Sequence, residues 1–168
     1  MIYSPRVLDL LQAVEPEPWQ GVAFRHMFAG LPPDKENTRG ARWNPPGIGA
    51  IYLSTTRAGV LAEAEYHLSL QAPRLRARRT LYEVRLSLHN VLNLTDDRLL
   101  GELGISPAEL DDPMMEACQE VGGAASWLEH DGILVPSARS SAVNLVVYPA
   151  NTQPTAEFET LAEEELPS

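Results

Sequence analysis

Apolar residues at positions 7, 10, 11 and 14 recur at helical spacing and stop at the Pro-rich stretch 15–18, which predicts an N-terminal helix over residues 5–14. A short strand is predicted at 21–27 and a loop at 30–37. The next run, TRGARWNPPGIGAIYLS, reads as a strand, a Pro-Gly turn, and a second strand over 50–54. Ser54, Thr55 and Thr56 are N-cap candidates for an alanine-rich helix that extends to about residue 70. After a basic loop at 74–79, TLYEVRLSLH alternates with period two. Leu81, Glu83, Arg85 and Ser87 fall on one face and Tyr82, Val84, Leu86 and Leu88 on the other, the clearest strand signal in the chain. Residues 91–94 continue that sheet. Ser106-Pro107-Ala108-Glu109 has capping-box form, and a helix follows over about 113–129, weakened by Gly122 and Gly123. Two last strands, GILVPSA and AVNLVVYP, flank a turn near 139–141. Strands and helices mix without a regular β-α-β alternation, so the fold class is α+β, a single domain with mixed or antiparallel sheets flanked by helices. Residues 151–168 are polar, acidic and Pro-punctuated, which predicts a frayed, flexible tail after a domain spanning 1–150.

Composition narrows the functional classes. The 168 residues suffice for one hydrophobic core without staples. A net charge of −10 argues against direct binding of nucleic acid, whose affinity rests on phosphate attraction. There is no apolar run long enough for a membrane-spanning helix, and the first 19 residues carry no secretory-signal pattern. The single cysteine, Cys118, excludes an internal disulfide and reads as a buried structural thiol, so a cytoplasmic location is expected. The four histidines show no metal-ligand pairing, and P-loop, Rossmann and nucleophile-elbow patterns are absent.

What remains is a set of polar residues in awkward places. Arg25 interrupts the apolar strand AFRHMF, and reads either as an edge arginine with a solvated head or as a site cation. Arg42, beside Trp43 in GARWNPPG, reads either as a turn arginine or as a ligand grip. Tyr52 is a core tyrosine on the simplest reading. On the alanine-rich helix, Glu63 and Glu65 flank the apolar stripe on opposite sides, and periodicity does not choose between them. Ser137 follows Pro136 at a point that suggests an edge or a bulge, a common place for re-aiming a side chain, though spacing alone favours a satisfied strand serine.

In order along the chain, these residues resemble the RES domain, the toxin half of RES–Xre toxin–antitoxin pairs. The likeness runs from about residue 24 to 149. It rests on Phe24-Arg25, Arg42-Trp43-Asn44-Pro45-Pro46-Gly47, Ile51-Tyr52-Leu53-Ser54, a glutamate in the next helix, Val135-Pro136-Ser137, and Asn144-Leu145-Val146. The resemblance selects Glu63, which lies eleven positions after the strand tyrosine. It implies an ADP-ribosyltransferase-like fold and an enzyme that depletes NAD⁺ by cleaving its nicotinamide–ribose bond, through hydrolysis or phosphorolysis. Mono-ADP-ribosyl transfer to a protein is the alternative, and an inactive protein-binding module the second. NAD⁺ is then the substrate, with no separate cofactor and no metal. Glu63, Arg42 and Ser137 are the implied catalytic residues, and Arg25, Tyr52, Trp43 and Asn44 the implied substrate-binding ones. The implied partner is an Xre-type antitoxin. Assembly is left open between self-association and a toxin–antitoxin hetero-oligomer.

Overall fold

The alternating segment forms the longest strand, and the rest of the sheet is arranged around it. The computed structural model describes residues 2–167. This strand is β3 (Arg79–Asn93), and one of its edges pairs antiparallel with β1 (Glu17–Phe28). Its other edge carries β4 (Gly132–Pro136), parallel at Val91–Asn93, and β6 (Glu157–Leu166), antiparallel along Arg79–Ser87. β2 (Ile51–Ser54) and β5 (Val143–Val147) complete the order β1-β2-β5-β4-β3, and the β1–β3 pairing closes these five strands into a barrel-like ring. One core fills the ring, with Ala23, Leu53, Val84, Leu86 and Leu145 fully or nearly fully buried. A second core lies outside it, where α1 (Pro5–Gln12) and α4 (Glu116–Trp127) cover Leu92, Leu94, Ile133, Val135 and Val146. The domain is thus α+β, as the pattern predicts. Among the described residues no helix is long and apolar enough to cross a membrane.

Local chemistry explains most element ends. Ser4 caps α1, its hydroxyl accepting from the Val7 amide with Pro5 at the first helical position. Thr56, one of three candidates, caps α2 (Arg57–Ser69) by accepting from the Gly59 amide. The expected strand around residue 41 is absent. Residues 29–50 form a loop with isolated bridges at Asn37–Ala50 and Ala41–Asn44. α3 (Asp97–Glu102), capped by Asp96, is too short to leave a periodic signal in the sequence.

Two expectations are corrected. The capping box at Ser106 does not form, and Pro107–Leu110 is a 3₁₀ turn without a side-chain cap. An α-helix cannot propagate there, because Pro113, four residues beyond Glu109, has no N–H to donate. α4 therefore starts only at Glu116. The segment expected to be a flexible acidic tail contains β6, paired on β3 along most of its length. Acidic composition suggested disorder, but Arg57, Arg78 and Arg85 meet Glu164, Glu165 and Glu159. Such exposed pairs contribute little each. The ladder hydrogen bonds and the packing of Phe158 on the ring core hold the strand.

Gly122 and Gly123, which weaken the helix on propensity, are required by packing. A Cβ on Gly122 would sit 1.9 Å from the Trp43 carbonyl oxygen, and one on Gly123 would lie 2.8 Å from the Tyr3 ring. Gly122→Ala should therefore lower unfolding free energy by about 1–3 kcal/mol, the usual cost of overpacking. Gly101→Ala, in the last turn of α3 with open space around it, should raise it by up to about 1 kcal/mol. Paired thermal or urea melts check both signs.

Candidate active site

The floor of the site joins a helix to a hairpin. α2 presents Glu63 toward β5 and the turn after β4, while Glu65 is exposed. Ser137 follows Pro136, and its amide donates to the Ala142 carbonyl to close the hairpin. Its hydroxyl donates to Glu63 Oε1 at 2.9 Å and accepts from the Arg139 amide at 3.1 Å. That second bond leaves the hydroxyl proton committed to the carboxylate. Asn144 Nδ2, on β5, donates to the same Oε1 at 3.4 Å. One oxygen of Glu63 is thereby held, and Oε2 has no protein partner among the described residues. Of the two glutamates that periodicity left open, Glu63 is the one that the hairpin holds and that lines the cavity.

Glu63 lines a cavity of about 760 Å³. The charged residues around it are Arg25, Arg42, Arg79 and Arg139 against Glu63 and Asp111. The cavity is thus cationic in a chain whose net charge is −10. In a confined, low-dielectric space such a field concentrates anions.

The two arginines singled out in the sequence have structural duties first. Arg25 Nη1 donates to the carbonyls of Pro33 and Lys35 at 2.6 and 2.7 Å, pinning the 29–50 loop against β1. Burial pushes its guanidinium down to about 10, still charged at neutral pH, with Asp34 acting in the opposite sense. Arg42 Nη1 donates to the carbonyls of Glu109 and Asp112 at 3.0 and 3.1 Å, fastening the 3₁₀ segment onto the cavity wall. Both still line the cavity. Tyr52 also lines it, but its hydroxyl is engaged, accepting from the Trp43 amide at 2.9 Å and donating to Asn44 Oδ1 at 2.6 Å. Burial raises the Tyr52 phenol well above its usual range.

Asn44 departs from the substrate-binding role implied for it. It is fully buried, and its amide nitrogen donates to the carbonyls of Asn37 and Ile48, so every polar atom of the side chain serves the loop. Trp43 is only 2% exposed and packs in the outer core, though part of it reaches the cavity wall. Cys118 is buried in α4, and burial pushes its thiol up to about 11, which keeps it inert.

Sequence reasoning missed several cavity residues. Asn144 is a polar residue in the apolar strand VNLVV, and His67 lies four positions after Glu63 on one helical face; both signals were available. Arg139 stacks over the Tyr66 ring at 3.4 Å and pairs with Asp111. His26 and Arg79 meet across β1 and β3, which no local pattern reveals.

A carboxylate with one fixed and one free oxygen, set in an arginine-lined cavity, equips an α+β domain to hold an anionic small molecule and to stabilise positive charge forming on it. The chain belongs to the RES-domain family, whose model matches residues 10–167. It is similar to the NAD(+) phosphorylase MbcT of Mycobacterium tuberculosis (strain ATCC 25618 / H37Rv), with 29% identity over 147 residues, 81% of this chain and 77% of that protein. The protein of that name from Mycobacterium bovis matches with the same figures. Among solved structures, the crystal structure of the M. tuberculosis MbcT–MbcA toxin–antitoxin complex matches with a TM-score of 0.83 and 26% identity, over 97% of this chain and 93% of that one.

His26 Nδ1 lies 3.0 Å from Arg79 Nη1, and a guanidinium only donates, so His26 must accept and stay neutral. Burial first, then the charges of His67, Arg79 and Arg25, push its pKa down to about 3. In the unfolded chain it titrates near about 6.5. Between those values the unfolded state binds the extra proton, so stability is full above that window and falls as pH drops through it. Thermal melts from pH 7.5 to 4 should lose less stability in His26→Gln, whose amide oxygen can still accept from Arg79. Equal slopes in the two proteins would refute the assignment.

Proposed function

We propose that this chain is the toxin of a toxin–antitoxin pair and depletes NAD⁺ by cleaving the nicotinamide–ribose bond, with phosphate as the acceptor. The carrying observation is Glu63, held through Oε1 by Ser137 and Asn144, with Oε2 uncommitted in a cationic cavity. Membership of the RES-domain family and similarity to an NAD(+) phosphorylase supply the substrate.

In this reading Glu63 accepts from a ribose hydroxyl and stabilises the oxocarbenium-like charge as the glycosidic bond stretches. The bonding pair leaves with the nicotinamide nitrogen, which neutralises the pyridinium. A phosphate oxygen forms the new bond to the same ribose carbon, and the dianion needs no general base. Ser137 acts by positioning Glu63. Arg25 and Arg42 shape the loop walls and contribute positive field, and the Tyr52 ring offers a face to the nicotinamide. The fold is read as ADP-ribosyltransferase-like. The partner is an antitoxin protein, of the Xre type on the sequence resemblance.

The assay is NAD⁺ incubated with the full chain and inorganic phosphate, with products separated by chromatography. An ADP-ribose phosphate ester is expected; free ADP-ribose would indicate hydrolysis, and label on a protein would indicate transfer. Glu63→Gln should cut turnover by about a hundredfold or more. Glu65→Gln, exposed on the same helix, should stay within about twofold. A folded wild-type chain that leaves NAD⁺ intact under all these conditions would sink the reading in favour of a protein-binding module.

A further inference from the structure

Among the four cavity arginines, Arg79 is the one with no oxygen partner among the described residues. Arg25 and Arg42 hold backbone carbonyls, and Arg139 holds Asp111. Arg79, at the start of β3, is 8% exposed, and its only side-chain hydrogen bond among the described residues runs from Nη1 to His26 Nδ1. Its Nε is buried with no partner. The Phe28 ring lies 4.4 Å from the guanidinium carbon, which gives cation–π attraction but no acceptor. A desolvated cation without a counter-charge is an expensive arrangement, and it favours an anion from solution.

The surroundings are those of an anion site. Because His26 Nδ1 accepts, the proton of that ring resides on Nε2, a further donor. Gln71 also lines the cavity, and its buried amide oxygen has no partner. Exchange of its amide oxygen and nitrogen would put a donor at that point. His67 meets the His26 ring at 5.3 Å between centroids. Since His67 follows Glu63 by one turn of α2, this corner lies roughly 6 Å along the helix from the carboxylate. That is a span suited to a phosphoryl group next to a ribose held by Glu63.

We propose that Arg79, with His26 beside it and Gln71 lining the same cavity, forms a phosphoryl-binding subsite at the β1–β3 end of the cavity. The phosphoryl group comes either from inorganic phosphate, as the acceptor, or from the pyrophosphate of the dinucleotide. The identity of the ligand rests on the NAD⁺ reading above; the anion-binding character of the corner rests on its own geometry.

Binding to the full-length chain is measured by calorimetry with two separate ligands. One is inorganic phosphate; the other is ADP-ribose, which carries the pyrophosphate without the scissile bond. Wild type should bind at least one of them, and Arg79→Gln should weaken that binding about tenfold or more, the usual scale for a lost charge-assisted hydrogen bond. Arg79→Lys should recover part of it, as a point charge without the planar fork. Selective loss of phosphate binding assigns the subsite to the acceptor, and selective loss of ADP-ribose binding assigns it to the dinucleotide. Should Arg79→Gln fail to fold, Gln71→Glu supplies the test, since a carboxylate added to the cavity lining should repel either anion by a similar factor. The proposal is overturned if neither ligand binds wild type, or if folded variants bind both within about twofold of wild type. Because the readout is binding, a chain that holds phosphate here yet leaves NAD⁺ intact keeps the subsite and overturns the catalytic reading.

Discussion

The antiparallel pairing of β1 with β3 closes the ring, and everything functional depends on it. Without it the sheet would be an open ribbon with two long unpaired edges, and the inner core of Val84, Leu86 and Leu145 would have no opposite wall. The register also sets chemistry. With Phe28 opposite Arg79 and Arg25 opposite Tyr82, the β1 and β3 ends bring Arg25, His26 and Arg79 to the same cavity. Arg25 and His26 are consecutive in β1, so a slip of one residue would exchange the faces they occupy.

On that frame, the Glu63 carboxylate is held by pieces far apart in sequence. Ser137 and Glu63 are separated by 74 positions, and Asn144 and Glu63 by 81. Each piece is locally ordinary: a capped helix, a hairpin turn after a proline, one asparagine in an apolar strand. Their convergence fixes one carboxylate oxygen and leaves the other free, which separates Glu63 from a solvated helix glutamate. The arginines follow a similar logic. Arg25 and Arg42 grip carbonyls of loops that lack regular hydrogen bonding, so the groups that make the cavity cationic also hold its walls. An acidic protein can thus carry an anion-seeking interior, because the excess carboxylates lie outward on β6 and other surfaces.

The sequence by itself determined the α+β class, the period-two core of β3, the N-terminal helix, the burial of Cys118, and, through ordered motifs, the RES-domain likeness. These rest on local periodicity, turn chemistry and short strings of residues, all of which survive in one dimension. Only the tertiary structure decided what depends on contact between distant segments. It turned the acidic C-terminal stretch into β6, because β3 offered an open edge and arginines to meet it. It enclosed Gly122 inside α4, because the Trp43 carbonyl occupies the space a side chain would need. It withdrew Asn44 into the loop and brought in Asn144, His26 and Arg79. A lone polar residue has the same appearance in sequence whether its partner is a carbonyl, a carboxylate or a ligand; only the fold places that partner beside it.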